Sequence, residues 1–337
     1  MTIVSGPPAI KIKGEVDEIT LSVIIVNYNG QPFLETCLRA LSQNLSCRYE
    51  IIVVDNNSDD GSQDYLSKTW PGVQLICSPD NLGFARGNNY GAEQARGRFL
   101  LLLNNDTKML EPFQPLLDYL DTHPDTAVVG GRLRNPDGSV QSSVGYEHTP
   151  YRILLSWMLP RSCAWFSGWQ IHEKRPEFYE QTHQEVDWVS GAFLCIRRRI
   201  WKELSGFDRD IFMYCEDSDL CRRVRERGQK VAYVAVGDTC HFEGGGKKGM
   251  SGHALFTTCD SYRLLLKKRY GSLIRNLTCA GLSLVFLVRA VLYLLSGTMS
   301  HDLSVKTKAG FYLRAAGRLL SGNIRSLFDR STGDGKR

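Results

Sequence analysis

The sequence predicts an α/β fold, with a mostly parallel central sheet flanked by helices. Three observations carry that expectation. Between Leu21 and Asn105, short apolar runs alternate with stretches whose apolar residues recur at helical spacing. Leu100 to Leu103 form an unbroken run of leucine with no polar alternation, as a strand covered on both faces would. Three of the apolar runs also end alike, in clusters of Asn and Asp.

Taken in order, LSVIIVNYN (21–29) reads as a strand ending in polar residues, and QPFLETCLRALSQN (31–44) as a helix. EIIVVDNNS (50–58) is a second strand and VQLICSP (73–79) a weaker third. GFARGNNYGAEQARG (83–97) reads as a helix with small residues on its packing face, and RFLLLLNND follows it. Sheets of this kind bind ligands beyond the carboxyl ends of their strands. Asn27-Tyr28-Asn29, Asp55-Asn56-Asn57 and Asn104-Asn105-Asp106 should therefore gather along one rim. Any one cluster has a plain explanation, since Asn and Asp start turns and cap helices. Three on one edge do not. The rim lacks both the glycine-rich dinucleotide turn and the P-loop. A nucleotide held there would rely on carboxylates, with Asp55 accepting from a base or ribose. Asp106 is a hard oxygen ligand suited to Mg²⁺ or Mn²⁺ on a diphosphate.

In the second half, VDWVSGAFLCIRRRIWKELSGFD (186–208) reads as a strand and a short helix closed by Gly206. Next, Glu216, Asp217 and Asp219 open a helix whose later turns carry Arg222, Arg223, Arg225 and Arg227, with Gly228 as its stop. Acids first and bases last oppose the helix dipole, which accounts for that order. The apolar run Ile211-Phe212-Met213-Tyr214 just before the acids is a separate signal. A carboxylate beside it should be partly desolvated and so become a better base. After a strand at 231–236 comes CHFEGGGKKG (240–249). A single histidine is more often structural than a ligand. This one lies between a strand and a Gly-Lys loop, where His241 would complete a metal site begun by Asp106 while Lys247 and Lys248 approach a diphosphate.

Composition is that of an ordinary folded protein, 42% hydrophobic and 23% charged. Ten cysteines form no C-x-x-C pair, so neither a zinc site nor a disulfide framework is expected, and a reducing compartment fits. Residues 1–20 read as a lead-in without the apolar run of a signal peptide, and the expected location is cytoplasmic. The net charge of +5 conceals an asymmetry: from Ser261 to Arg337, 14 Lys and Arg oppose three Asp. A basic tail calls for an anionic partner. Nucleic acid is the weaker choice because no nucleic-acid-binding motif accompanies the charge.

The residues collected so far resemble family 2 glycosyltransferases of the GT-A fold, especially the bacterial rhamnosyltransferase-like branch. The matching pieces are SVIIVNYNG, VVDNNSDDGS, NLGFARGNNYGAEQARG, LLLLNNDT, WVSGAFLCIRR, GFDRDIFMYCEDSDLCRRVRERG and CHFEGGG, spread over roughly residues 20–246. The resemblance implies a Rossmann-like nucleotide-binding half and an acceptor half within residues 21–250, followed by a basic helical extension at 251–337. It implies a nucleotide-sugar donor bound by Asn27, Asp55, Arg86, Asn89, Asn104 and Asn105. Asn104-Asn105-Asp106 stands where the family has its Asp-x-Asp motif, with Asn104 departing from the first acid. Asp106 and His241 would bind a divalent cation, Mg²⁺ or Mn²⁺, and Asp217 would be the catalytic base of an inverting transfer. Trp188, Glu216, Lys247 and Lys248 would lie on the acceptor or diphosphate side. The donor implied first is dTDP-L-rhamnose, with UDP-hexoses close behind. The acceptor would be a polyprenyl-diphosphate-linked glycan at the inner face of the plasma membrane, in cell-surface polysaccharide synthesis. Two other classes compete. A non-catalytic membrane scaffold has no need of Asp106, Asp217 and His241, and a nucleotidyltransferase has no need of the Glu-Asp helix.

Residues 273–296 are the most apolar stretch, but the longest uncharged run, Asn276 to Val288, is 13 residues. About 20 are needed to span a bilayer. Arg275 and Arg289 lie near four helical turns apart, on about the same face. An interfacial helix with basic flanks is the expectation, with a core helix or a true span as alternatives.

Overall fold

A computed structural model describes residues 18–159, 164–242, 252–300 and 303–321. In chain order the first half runs β1 (Leu21–Asn27), α1 (Gln31–Asn44), β2 (Tyr49–Asp55), α2 (Ser62–Thr69), β3 (Gln74–Cys77), α3 (Gly83–Gln94), β4 (Phe99–Asn104), β5 (Thr107–Met109), α4 (Gln114–Thr122), β6 (Thr126–Gly130), β7 (Leu133–Arg134) and β8 (Val144–Gly145). The second half continues α5 (Pro150–Met158), α6 (Pro176–Tyr179), β9 (His183–Glu185), β10 (Trp188–Val189), β11 (Phe193–Arg197), α7 (Arg198–Glu203), α8 (Glu216–Arg225), β12 (Lys230–Val234), β13 (Thr239–His241), α9 (Gly252–Ser300) and α10 (Leu303–Leu320).

Eight strands form the main sheet in the order β3-β2-β1-β4-β11-β6-β12-β9. β3, β2, β1 and β4 are parallel neighbours, and β12 is parallel to β6. β11 runs antiparallel to both β4 and β6, and β9 antiparallel to β12, so the sheet is mixed. The run 186–208, expected as one strand and a helix, divides at Gly191 into β10 and β11. A turn closed by Phe193 N–H on the Ser190 carbonyl separates them (3.1 Å). β10 then pairs with β8 in a sheet of its own.

Leu100 to Leu103 are wholly buried, as expected of a strand with cover on both faces. The small residues of α3 let that helix approach closely. A Cβ at Gly91 would come within 2.7 Å of Ile24 and 3.0 Å of Val54. Truncating one such buried leucine to Ala costs about 2–5 kcal/mol. The strand ends are therefore held by a stiff interior.

Contacts divide the described residues into two compact units. One contains the sheet, comprising the chain up to Gly145 together with Arg175–Asp208 and the stretch from Asp217 through β13. The other is helical and joins Tyr146–Lys174 and Arg209–Glu216 to α9 and α10. Within it α9 is two helical arms meeting at Gly271, whose φ of +79° only glycine adopts without strain. Ser283 Oγ donates to the Ala316 carbonyl (3.1 Å), and Phe286 and Tyr293 pack on Tyr312, so α10 lies along the second arm. Arg289 Nε donates to the Trp157 carbonyl at the end of α5 (2.9 Å). Its charge is therefore used inside the unit and not displayed beside Arg275. Opposite that packed face, Leu273, Leu277, Leu284, Val288, Val291 and Leu295 are exposed at helical spacing.

Candidate active site

The parallel register aligns the three polar clusters. Asn27 is paired with Asp55, and Asn104 with Val26, so the ends of β2, β1 and β4 stand side by side. Asp55 is fully buried and its carboxylate accepts three hydrogen bonds: from Asn27 Nδ2 (2.9 Å), Ser58 N–H (2.9 Å) and Gln63 Nε2 (2.8 Å). Asn27 Oδ1 accepts in turn from Asn105 Nδ2 (2.8 Å). The rim is one connected polar chain, Gln63–Asp55–Asn27–Asn105. Gly30 closes against it, because a Cβ there would meet Asn105 Nδ2 at 2.0 Å and Asn27 Oδ1 at 2.7 Å. Two interlocked loops hold the front: Asn29 Oδ1 accepts from Asp59 N–H (2.9 Å) and Asp60 from Gln31 N–H (2.8 Å). Asn29 and Asn57 take left-handed backbone, which Asn tolerates better than most residues.

Beside this chain lies the pair that sequence separation hides. β5 pairs antiparallel with β13, setting His241 opposite Thr107 and next to Asp106. His241 Nε2 stands 3.2 Å from Asp106 Oδ1 and 3.1 Å from Asn104 Nδ2. Phe242 N–H bonds the Asp106 carbonyl (2.9 Å), closing the corner. The other edge of β13 pairs with β7, and Asp238 just before β13 is clasped by Arg132 and Arg134. Among the described residues no group of three or more His, Cys, Asp and Glu could hold a metal. The protein's donor set here is one carboxylate oxygen and one imidazole nitrogen converging from different strands. Two converging electron-pair donors fit a divalent cation that takes its further ligands from outside the protein.

Asp217 is the second residue of α8. Tyr214 and Cys215, just before that helix, have φ of +69° and +70°, strained values for residues that are not glycine. Asp217 Oδ2 accepts from Gly191 N–H (3.0 Å) and Oδ1 from Ser218 N–H (2.7 Å). Burial pushes its carboxyl above the ordinary aspartate range, while those N–H groups pull the other way. Ala192, next to Gly191, accepts at its carbonyl from Asn104 N–H (3.1 Å). The turn that seats Asp217 is thereby bonded to the end of β4. Asp219 differs, because its carboxylate is held by Arg222 (3.2 Å) and Arg223 (2.7 Å). Ion pairs with those arginines account for Asp219, whereas Asp217 is met by backbone N–H groups.

The remaining residues are distributed as follows. Asn89 is buried, with its amide bonded through both polar atoms to the Phe207 backbone (2.8 and 2.9 Å). Arg86 is half-buried on α3, Trp188 is buried in β10, and Glu216 is buried at the first position of α8. Lys247 and Lys248 lie outside the described residues. Sequence reasoning passed over Gln63, Gly191 and Gln141. Gln141, whose Oε1 lies 2.8 Å from His241 Nδ1, follows the turn NPDGSV, a loop signal that names no partner.

The mannosyltransferase PcManGT of Pyrobaculum calidifontis, solved with GDP-Man and Mn²⁺, superposes with a TM-score of 0.54 at 15% identity over 94% of this chain and 89% of its own. GalNAc-T7, solved with UDP, GalNAc and Mn²⁺, gives 0.53 at 17% identity over 73% and 48%. The fold is GT-A. Residues 22–203 match Glycosyl transferase family 2, and the chain belongs to that family. Among curated relatives, the N-acetylglucosaminyl-diphospho-decaprenol L-rhamnosyltransferase of Mycobacterium tuberculosis is 28% identical over 237 residues, 66% of this chain and 75% of the relative. Rhamnosyltransferase WbbL of Escherichia coli is 25% identical over 227 residues, 65% and 82%. The protein is a glycosyltransferase of the rhamnosyltransferase-like branch.

Proposed function

We propose that this enzyme transfers L-rhamnose, with inversion, from dTDP-L-rhamnose to a polyprenyl-diphosphate-linked glycan. The observation that carries the mechanism is the contrast between two carboxylates on one rim. Asp106 faces an imidazole, as a cation ligand would, while Asp217 is half-buried with its proton affinity raised. The sugar and the acceptor class rest on the relatives' names, and the dTDP carrier on the resemblance of the sequence motifs.

The nucleotide lies along the carboxyl ends of β1, β2 and β4. A carboxylate offers about four acceptor positions, so Asp55 keeps capacity for a base or ribose donor beyond its three internal bonds. Asn27 and Asn105 fix that carboxylate, and Asn104 faces the sugar or ribose. Asp217 takes the proton from an acceptor hydroxyl as the oxygen attacks the anomeric carbon. The bond to the diphosphate breaks as the new one forms, and the nucleoside diphosphate leaves with its electron pair. Asp106 and His241 would hold a divalent ion, Mg²⁺ or Mn²⁺, which supplies positive charge to the departing diphosphate.

The exposed face of α9 fits a membrane surface. Leu273, Leu277, Leu284 and Leu292 are 60–72% exposed, and no charge interrupts them because Arg289 is turned to Trp157. α9 is 49 residues of helix broken at Gly271 and packed along one side by α10, an arrangement for lying in a membrane surface. Lys306, Lys308 and Arg314 are exposed on α10 and suit anionic headgroups. The enzyme then works at the cytoplasmic face of the plasma membrane.

The test is a donor panel of dTDP-L-rhamnose, UDP-hexoses and GDP-mannose with a short polyprenyl-diphosphate glycan, read by mass. Release of dTDP with a rhamnosylated product is expected. Turnover of a UDP-hexose alone would reassign the donor, release of inorganic diphosphate would indicate nucleotidyl transfer, and no turnover with any pair would favour the scaffold.

A further inference from the structure

We infer that Gln141 is a positioning residue that sets the tautomer of His241, keeping the proton on Nδ1 and the Nε2 electron pair turned toward Asp106 and Asn104. The two orientations of the Gln141 amide are not equivalent. As placed, its Nε2 donates to Asn135 Oδ1 (3.0 Å) and to the His241 carbonyl (3.4 Å). Turning the amide over would set its oxygen against both of those oxygens. Asn135 cannot accommodate the reversal, because its own Nδ2 donates to Ser139 Oγ (2.9 Å) and the Val140 carbonyl (3.5 Å). Gln141 Oε1 therefore faces His241 Nδ1 at 2.8 Å as an acceptor. An acceptor there requires the proton on Nδ1, and in a neutral imidazole Nε2 then carries none.

The consequence lies on the other side of the ring. Without Gln141, the stable metal-free arrangement would place the proton on Nε2, donating to Asp106 Oδ1 across the observed 3.2 Å. That bond would occupy both ligand atoms and close the site. With the proton on Nδ1, the Nε2 electron pair faces Asp106 Oδ1 and accepts from Asn104 Nδ2 at 3.1 Å, so it stays available to a cation.

The loop is built to hold this amide still. Asn135 N–H bonds the Ser139 carbonyl (2.8 Å), Gly138 N–H the Asn135 carbonyl (2.9 Å), and Gly138 sits at φ +84°. Gln141 N–H bonds the Leu133 carbonyl (2.8 Å), and its side chain is buried. This holds the amide beside β13.

The metal half of this inference rests on reading Asp106 and His241 as ligands, whereas the tautomer does not. The test uses full-length protein labelled with ¹⁵N-histidine, with His241 assigned by its loss in His241→Ala. Two-bond ¹H–¹⁵N correlation is run without metal, at alkaline pH where the spectrum itself shows a singly protonated His241 ring. Wild type should show a protonated Nδ1 on His241. Gln141→Leu should move the proton to Nε2, and Gln141→Glu, which keeps an acceptor, should leave it on Nδ1. In calorimetry with Mn²⁺ and dTDP, Gln141→Leu should weaken Mn²⁺ about 10–100-fold, the usual range for losing an outer partner. Gln141→Glu should recover most of that loss. A wild-type Nε2–H signal, or an unchanged tautomer in a folded Gln141→Leu, would overturn the assignment. If the tautomer switches as stated but wild type binds no Mn²⁺ with dTDP, the positioning role stands and the metal reading falls.

Discussion

Asp217→Asn removes the proposed proton acceptor while keeping the side chain's shape. A general base contributes roughly 10²–10⁴-fold, which at about 1.36 kcal/mol per decade is a barrier increase of about 2.7–5.4 kcal/mol. The substitution is not neutral for the fold. Both Asp217 oxygens accept backbone N–H groups, from Gly191 and Ser218. Asn offers one oxygen and one NH₂, so one of those N–H groups would face another donor, at a cost of about 1–3 kcal/mol. Relief from burying a charge acts against that cost. Because burial raises the folded-state pKa of Asp217, its stabilising contribution is present below the unfolded pKa and is lost as pH rises through the folded value. The melting-temperature gap between wild type and Asp217→Asn should therefore widen in favour of wild type on acidification and narrow toward neutral pH. Turnover, read as acceptor-dependent nucleoside diphosphate release, should fall at least 100-fold while donor affinity by calorimetry changes little. The acid limb of the wild-type kcat/KM profile should lie above the ordinary aspartate range. A variant keeping more than about a tenth of wild-type turnover would refute the base assignment. Asp219, engaged by Arg222 and Arg223, would be a poor replacement, which leaves Glu216 as the next candidate.

For Asp106→Ala and His241→Ala, each should weaken Mn²⁺-dependent dTDP binding, and the double variant should cost clearly less than the sum of the two. Strict additivity would show that the residues share no ion. Gly30→Ala, at a position where φ is −115° and only space is at issue, should drive Asn105 from Asn27. Its KM for donor should rise more than kcat falls, and unchanged donor kinetics would remove the Asn27–Asn105 contact from the binding site. Leu277→Glu with Leu284→Glu should reduce sedimentation with anionic liposomes while leaving melting close to wild type. High salt should also release part of the wild-type protein, and equal binding to neutral and anionic vesicles at every salt concentration would refute the electrostatic component.

Much of this protein can be read along the chain because the relevant physics is local. An unbroken Leu100–Leu103 run implies a strand with cover on both faces, and strand–helix alternation implies a largely parallel order. Asn and Asp at the strand ends then fall on one edge. The tertiary structure decided what depends on pairing between distant segments. β11 enters antiparallel beside β4, a reversal that no periodicity announces, and brings Gly191 to Asp217. Asn89 lies on the buried face of α3 beside Ala85 and Ala92, and its amide is bonded to the Phe207 backbone. Arg289 looked like a surface charge by spacing and instead caps the end of α5. Asp106 and His241 meet only because β5 pairs with β13, and Gln141 reaches His241 only because β7 pairs with the other edge of β13. Periodicity shows which face a residue occupies within its own element, but not which element lies opposite, and the chemistry of this rim depends on that second choice.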